Sequence, residues 1–166
     1  MVEKRSPFKF LIDIPVRNHW ENVDLLRTSL LNCFTAIFSE VDGVHSFATV
    51  AAELLENAIK YGHWTDPTAR LHLRVSGDNG TARVEVENPI DPSSDNVKEL
   101  LNTIAWLKTF PSAEDAYRAR LLQVATAEAG VSRLGLARIA YEANATLVAR
   151  VDENVVRVTC VVTNVV

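Results

Sequence analysis

The chain has 166 residues, enough for one domain with a substantial buried core. Apolar residues make up 48% of it and charged residues 23%, the proportions of an ordinary globular protein. A formal net charge of −4 argues against binding to nucleic acid, because proteins that bind the phosphate backbone carry a basic surface. No apolar segment is long enough to span a membrane and no signal peptide is visible, so we expect a cytoplasmic protein without a membrane partner.

Hydrophobic periodicity predicts five strands and five helices in a single domain over residues 1–166, without an internal repeat or a linker. The predicted elements, in chain order, are a strand at Phe8–Ile14, helices that end near Glu40 and Tyr61, strands at Arg70–Val75 and Thr81–Glu87, a helix from Asn96 to about Thr109, a helix from the Ser112 cap to about Ala129, a helix from Arg133 to about Asn144, and strands at Thr146–Val151 and Val155–Val162.

The first predicted hairpin indicates how the layers are arranged. Its second strand alternates between inward Val84 and Val86 and outward Arg83, Glu85 and Glu87, so one face of the sheet is apolar and the other is charged. Helices must therefore cover a single face of the sheet. This pattern predicts an α/β fold built as a two-layer sandwich.

The helix that ends near Tyr61 carries the strongest chemical signal. Glu53 and Asn57 lie four residues apart and point the same way, with Lys60 on the same side. A carboxylate in this position can accept a proton while the amide helps to hold a hydrated cation. The alternative is a solvated helix face with an ion pair between Glu56 and Lys60, which contributes little to stability.

Residues 53–61 resemble the N-box of the GHKL (histidine-kinase-like ATPase) superfamily, since seven of the nine positions match in type. With Glu first, the segment is most similar to the branch of anti-sigma factors and switch-protein serine kinases. The resemblance implies that Glu53 activates water or a hydroxyl, that Asn57 coordinates Mg²⁺, and that Lys60 pairs with the phosphates of ATP. It also implies a Bergerat-type fold, with a mixed, mainly antiparallel sheet and helices on one face.

The adenine-binding box of that superfamily, an Asp followed by Gly-x-Gly, is altered in this chain. Asn88 stands where the Asp is expected, and its amide oxygen can still accept a hydrogen bond from an adenine amino group, without the assistance of a charge. Pro89 and Ile90 replace glycine flexibility with rigidity. Asp91 is either a displaced adenine contact or the first residue of an Asx turn, and the turn is the favoured interpretation.

The second glycine box of the superfamily is partly retained. The matching positions are Gly130, Ser132, Arg133, Leu134 and Gly135, where the superfamily has a glycine-rich turn before a helix. A helix that begins behind Ser132 offers free N–H groups and a partial positive charge to phosphate. Arg133 either adds a phosphate contact, blocks the site or faces a partner. Gly130 alternatively does no more than end the preceding helix.

Between the two boxes, at about residues 93–130, the sequence predicts a helical insert where the superfamily has a mobile lid. Well-capped helices indicate a fixed surface, either for a protein partner or for a second copy of the chain. The aromatic residues of the insert either anchor such a partner or pack in the core. The residues concerned are Trp106, Phe110 and Tyr117, and Tyr117 continues along an apolar stripe with Leu121 and Val124.

Two functional hypotheses follow. The first is a cytoplasmic, bacterial-type regulator that binds Mg-ATP and controls a sigma factor or an anti-sigma-antagonist-like protein, either by sequestering it or by acting as a serine/threonine kinase. The second is a non-catalytic pseudo-ATPase that acts by binding a protein through the helical insert, because both glycine boxes are eroded. The N-box with its acid favours the first hypothesis.

Overall fold

A computed structural model of the protein describes residues 7–16, 23–37, 41–78, 80–126 and 134–163. The order of elements is the predicted one. They are β1 (Phe8–Pro15), α1 (Val23–Ile37), α2 (Val41–Tyr61), β2 (Arg70–Asp78), β3 (Thr81–Pro89), α3 (Asp95–Leu107), α4 (Ala113–Thr126), α5 (Leu134–Glu142), β4 (Ala145–Asp152) and β5 (Val155–Thr163). None of the described helices is both long and apolar enough to cross a membrane.

The five strands form one sheet in the order β1-β2-β3-β5-β4. All four pairs of neighbouring strands are antiparallel, so the prediction of a mixed sheet is wrong in this respect. The reason lies in the position of β5. Strands β3 and β4 run in the same direction, but β5 lies between them and is antiparallel to both, so no parallel pair forms.

The two faces of the sheet differ as predicted. On the inner face, Leu73, Val84 and Cys160 are buried, and they contribute to a core shared with the helices. On the outer face, Glu85 lies 3.7 Å from the guanidinium of Arg74, in a row of charged side chains. One apolar face covered by helices and one charged face confirm the two-layer α/β sandwich.

Helix α2 is the central element of the helical layer. Its apolar side includes the fully or almost fully buried residues Phe47, Val50, Ala51, Leu54 and Leu55. The ring of Phe47 meets that of Phe34 edge to face, at a centroid distance of 6.2 Å, and so joins α2 to α1. Burial of this continuous apolar side fixes α2 against the sheet, and with it the orientation of every polar residue that α2 carries.

Serine caps set where α3 and α4 begin, and the one at Ser112 is the predicted cap. Ser94 Oγ accepts a hydrogen bond of 3.2 Å from the backbone N–H of Asn96 at the start of α3. Ser112 Oγ accepts one of 3.1 Å from the N–H of Asp115 and donates one of 2.7 Å to its carboxylate at the start of α4. Both helices of the predicted insert are therefore present, in the described part of the chain, as far as residue 126.

The packing of α4 differs from the predicted apolar stripe. Ala116 is the buried residue of this helix, whereas Leu121 and Val124 are 40% and 37% exposed. Around the buried Ala116, α4 packs against its neighbours α3 and α5. There, Tyr117 stacks on Tyr141 of α5 at 5.4 Å, and Arg120 lies over the ring of Trp106 of α3 at 4.4 Å.

The burial of α2 can be tested with two leucine-to-alanine substitutions. Leu55→Ala removes a side chain with no exposure, and we expect it to lower the free energy of unfolding by about 2–5 kcal/mol. Leu122→Ala, at a side chain that is 68% exposed on α4, is the matched control, with an expected change within about 0.5 kcal/mol. Urea denaturation followed by circular dichroism measures both. Similar losses for the two variants would contradict the central position of α2.

Candidate functional site

A narrow cleft separates α2 and the inner face of the sheet from α3 and α5. Its volume is about 30 Å³, which is room for about two water molecules. Most of its walls are apolar, and α3 closes it with Val97 and Leu100. The other lining residues are Leu54, Asn57, Ala58, Tyr61, Val86, Asn88, Ile90, Asn96, Leu136, Val156 and Val158.

Two of the predicted site residues, Asn57 and Asn88, meet in this cleft. The side-chain NH₂ group of Asn57 donates a hydrogen bond of 2.8 Å to the carbonyl oxygen of Glu53. That of Asn88, a residue only 4% exposed, donates one of 3.0 Å to the carbonyl oxygen of Pro89. Because the backbone engages both NH₂ groups, each side chain has its amide oxygen left to accept a hydrogen bond or to ligate a cation.

Glu53, the glutamate predicted to accept a proton in catalysis, lies one turn before Asn57 on α2, where helix α5 covers it. The side chain is only 14% exposed, and its Oε1 forms an ion pair with Nη2 of Arg138. Its Oε2 lies directly against Gly135, so closely that a Cβ atom on that glycine would overlap it. The helical pattern placed Glu53 on the side of α2 that faces away from the core; the structure shows that α5 packs over this side at Glu53, whereas Lys60 further along it is exposed.

The environment of Glu53 acts on its proton affinity in two opposed ways. Burial raises the pKa of this carboxyl above its ordinary value of 4.5, because the charged form loses water. The guanidinium of Arg138 acts against this by favouring the charged form, and the carboxylate of Glu56 raises the pKa further. The net effect is a pKa above the ordinary value, which makes Glu53 a stronger proton acceptor than a solvated glutamate.

The structure does not bring Lys60 or Asp91 into the cleft. Lys60 is exposed in the last turn of α2, and its ammonium group lies 5.3 Å from the centroid of the Tyr61 ring. The Oδ1 atom of Asp91 accepts hydrogen bonds of 2.9 Å from the N–H and 2.6 Å from the hydroxyl of Ser93, which lowers the pKa of Asp91. This is an Asx turn. Of the two candidates for the adenine contact, Asn88 and Asp91, Asn88 is therefore the one that lines the cleft.

Of the predicted second glycine box, the structure describes the part that lies in α5. Leu134 is the first residue of that helix, Gly135 contacts Glu53, and Leu136 lines the cleft. Gly130, Ser132 and Arg133 lie outside the described residues.

The alternative interpretation of the α2 face, an ion pair between Glu56 and Lys60, is not what the structure contains. Glu56 Oε2 instead lies 3.8 Å from the guanidinium of Arg27 on α1, and both side chains are about half exposed. Such an exposed pair contributes little to stability. It also leaves the ammonium group of Lys60 at the surface, one turn beyond Asn57.

Arg138 is the site residue that the sequence did not reveal. It follows Gly135 by three positions, so both residues lie on the same side of α5. A single arginine in a helix whose other inward residues are Leu136, Ala137, Ile139 and Ala140 is a recognisable signal. Its pairing with Glu53 is not, because the two residues are 85 positions apart.

Among the described residues, no group of three or more His, Cys, Asp or Glu side chains is arranged to hold a metal ion. Magnesium does not require such a group, since it keeps several water ligands and binds phosphate oxygens together with one or two protein oxygens. The amide oxygen of Asn57, a residue that lines the cleft, is an oxygen of this kind.

Comparison with known proteins supports the fold. A chain in the crystal structure of the SiaB–SiaC complex from Pseudomonas aeruginosa superimposes with a TM-score of 0.67 at 16% sequence identity, over 92% of this chain and 88% of that chain. Identity at this level shows a shared fold. No protein-family model matches the sequence, and no curated protein is significantly similar to it.

The contact between Gly135 and Glu53 can be tested by a double-mutant cycle. Gly135→Ala should lower stability by about 1 kcal/mol in the wild-type background, because the new methyl group displaces the Glu53 carboxylate from Arg138. In a Glu53→Ala background the same change should raise stability by about 0.5 kcal/mol, because alanine favours the helix and meets no obstacle. Urea unfolding of the four proteins measures the cycle, and an equal effect in both backgrounds would rule out the contact.

The raised pKa of Glu53 predicts a pH dependence of stability. The protonation of Glu53 contributes to the free energy of unfolding. This contribution is fully present below the unfolded-state pKa, near 4.5, and is lost as the pH rises through the higher folded-state pKa. The stability of the wild type relative to Glu53→Gln should therefore fall as the pH rises from below 4.5 through the raised pKa of the folded state. Chemical denaturation across this range measures the difference. A relative gain with rising pH would mean that the Arg138 ion pair outweighs burial.

Proposed function

We propose that the protein is a regulator that binds Mg-ATP in the cleft between α2, the sheet, α3 and α5, and that it controls a partner protein by phosphorylation or sequestration. The observation that carries this proposal is that two asparagine side chains, Asn57 and Asn88, line one mostly apolar cleft, with the largely buried carboxylate of Glu53 one helical turn from Asn57. The resemblance of residues 53–61 to the GHKL N-box supports it, and so does the sandwich fold.

In this proposal each side chain has a role that its contacts permit. The amide oxygen of Asn88 accepts a hydrogen bond from the amino group of adenine, between apolar walls that suit a flat base. The amide oxygen of Asn57 holds Mg²⁺, which when bound neutralises charge on the phosphates. Glu53, with its raised pKa, accepts the proton of the hydroxyl group that attacks the terminal phosphate.

The cleft is narrow and has room for only about two water molecules, so in this proposal α3 moves when the nucleotide binds. Val97 and Leu100 occupy the side of the cleft through which the base would enter. Because both residues belong to α3, the binding of nucleotide would change the position of α3 at the surface of the protein. A partner that contacts the helical insert would therefore bind the two states with different affinity, which is the requirement for nucleotide-dependent regulation.

The partner in this proposal is a protein. The structural neighbour belongs to a complex of two proteins, SiaB and SiaC. The resemblance to anti-sigma factors and switch-protein kinases points to a sigma factor or an anti-sigma-antagonist-like domain. The exposed apolar side chains of α4, Leu121, Leu122 and Val124, provide a surface suited to such a contact.

A second candidate function is a pseudo-ATPase that binds its partner through the insert without nucleotide. The closed cleft and the neutralisation of Glu53 by Arg138 favour it. The two functions differ in what Glu53→Ala does. Regulation of the partner would fail with this variant if nucleotide chemistry is required, and would survive it, but fail with Leu122→Asp, if the insert acts alone.

Nucleotide binding is tested most directly by thermal unfolding with Mg-ATP. We expect a ligand at one hundred times its dissociation constant to stabilise the protein by about 2.7 kcal/mol, equivalent to a rise of about 5–10 °C in Tm. Asn57→Ala should remove the dependence of this shift on Mg²⁺, whereas Asn32→Ala, on the exposed side of α1, should leave it unchanged. No shift with millimolar Mg-ATP would exclude the first function.

A further inference from the structure

The ion pair between Glu53 and Arg138 leaves the arginine only partly satisfied. One end of the guanidinium, at Nη2, pairs with the carboxylate. The Nε atom is buried and has no hydrogen-bond partner among the described residues. A buried donor without a partner is unfavourable, because it has lost its water and gained nothing in return. The side chain as a whole is 37% exposed, so part of it is accessible to a ligand.

The position of the pair relates it to the cleft. On α2, Glu53 lies one helical turn, about 5–6 Å, from Asn57, whose amide lines the cleft. On α5, Arg138 lies one turn after Gly135, the residue that contacts Glu53, and the same helix contributes Leu136 to the lining of the cleft. The pair therefore connects the two helices at the Asn57 end, whereas the buried amide of Asn88 belongs to the wall formed by the sheet.

The charges at this end are unevenly distributed. A triphosphate carries several negative charges. The carboxylate of Glu53 adds one more negative charge, close to where the N-box resemblance puts the terminal phosphate. Lys60, the cation that the N-box resemblance assigns to the phosphates, is at the surface beside Tyr61. Of the cationic side chains in the described ranges, Arg138 is the one in direct contact with Glu53. Its guanidinium has the planar donor geometry that suits phosphate as well as carboxylate.

We propose that Arg138 is a phosphate-binding residue of this site and that its ion pair with Glu53 is exchanged, when a nucleoside triphosphate binds, for a pair with the terminal phosphate. This inference rests on the proposed function and adds a residue to it. In the closed state Arg138 holds Glu53 against Gly135. In the nucleotide-bound state the phosphate takes the guanidinium, and the carboxylate becomes free to receive a proton.

The exchange predicts a particular pattern of affinities. A carboxylate that competes for Arg138 weakens the binding of phosphate, so its removal should strengthen that binding. Glu53→Gln should therefore bind Mg-ATP several-fold more tightly than the wild type, and it should do so only while Arg138 is present. Adenosine has no phosphate, and its affinity should not depend on Arg138.

Isothermal titration with Mg-ATP and with adenosine tests this pattern. We expect Arg138→Gln to weaken the binding of Mg-ATP about 10- to 100-fold and that of adenosine less than twofold. Arg138→Lys should recover part of the loss. Arg27→Gln removes the exposed ion pair with Glu56 and is the matched control. It should change the affinity for neither Mg-ATP nor adenosine. The Glu53→Gln/Arg138→Gln double variant should bind no more tightly than Arg138→Gln alone.

A spectroscopic readout separates phosphate contact from a purely structural role. The ¹⁵N–¹H signal of the Arg138 side chain, assigned by its loss in Arg138→Lys, should shift with Mg-ATP and stay in place with adenosine. If the wild type binds Mg-ATP and Arg138→Gln binds it equally well, Arg138 is a structural clamp and the inference is wrong, while the proposed function stands. If the wild type binds neither ligand at millimolar concentration, the proposed function fails and the inference fails with it.

Discussion

The close approach of α2 and α5 is the constraint on which the site depends. Gly135 has no side chain, and the space that a Cβ atom would fill is taken by the carboxylate of Glu53. This lets Arg138, one turn further along α5, reach the same carboxylate. The opposite side of α2 is fixed by the core, through Leu54 and Leu55. The helix is thus held from both sides, and the direction of its polar residues follows from packing rather than from their own interactions.

The cleft places asparagine side chains among apolar residues, an arrangement that does little to stabilise a fold. A buried asparagine such as Asn88 reduces the apolar area of a core, and its amide must be paired to be tolerated. Here the NH₂ groups of both Asn57 and Asn88 are paired with backbone carbonyls, which fixes the orientation of two side chains that line the cleft. Oriented acceptors between apolar surfaces are the arrangement by which proteins read a small polar ligand.

Local patterns in the sequence predicted the ten elements, the cap at Ser112, and the two faces of the sheet, because each depends on residues close together in the chain. These local patterns did not predict the order of the strands. The position of β5 between β3 and β4 depends on pairing between residues that are far apart in the chain. The site shows the same division. The direction of Asn57 follows from helical spacing, whereas the partner of Glu53 comes from α5 and the surface position of Lys60 follows from the end of α2 at Tyr61.

The stacking of the insert on the domain has a consequence for the speed and strength of ligand capture. Tyr117 on Tyr141, and Arg120 on Trp106, tie α4 to α5 and to α3, so the opening of the cleft that we propose would have to displace packed helices. The open form is then a minor fraction of the population, and the apparent dissociation constant of any ligand equals its intrinsic value divided by that fraction. Association would be slow for the same reason. A protein that holds the insert in its displaced position would raise both the affinity and the rate, without touching the ligand.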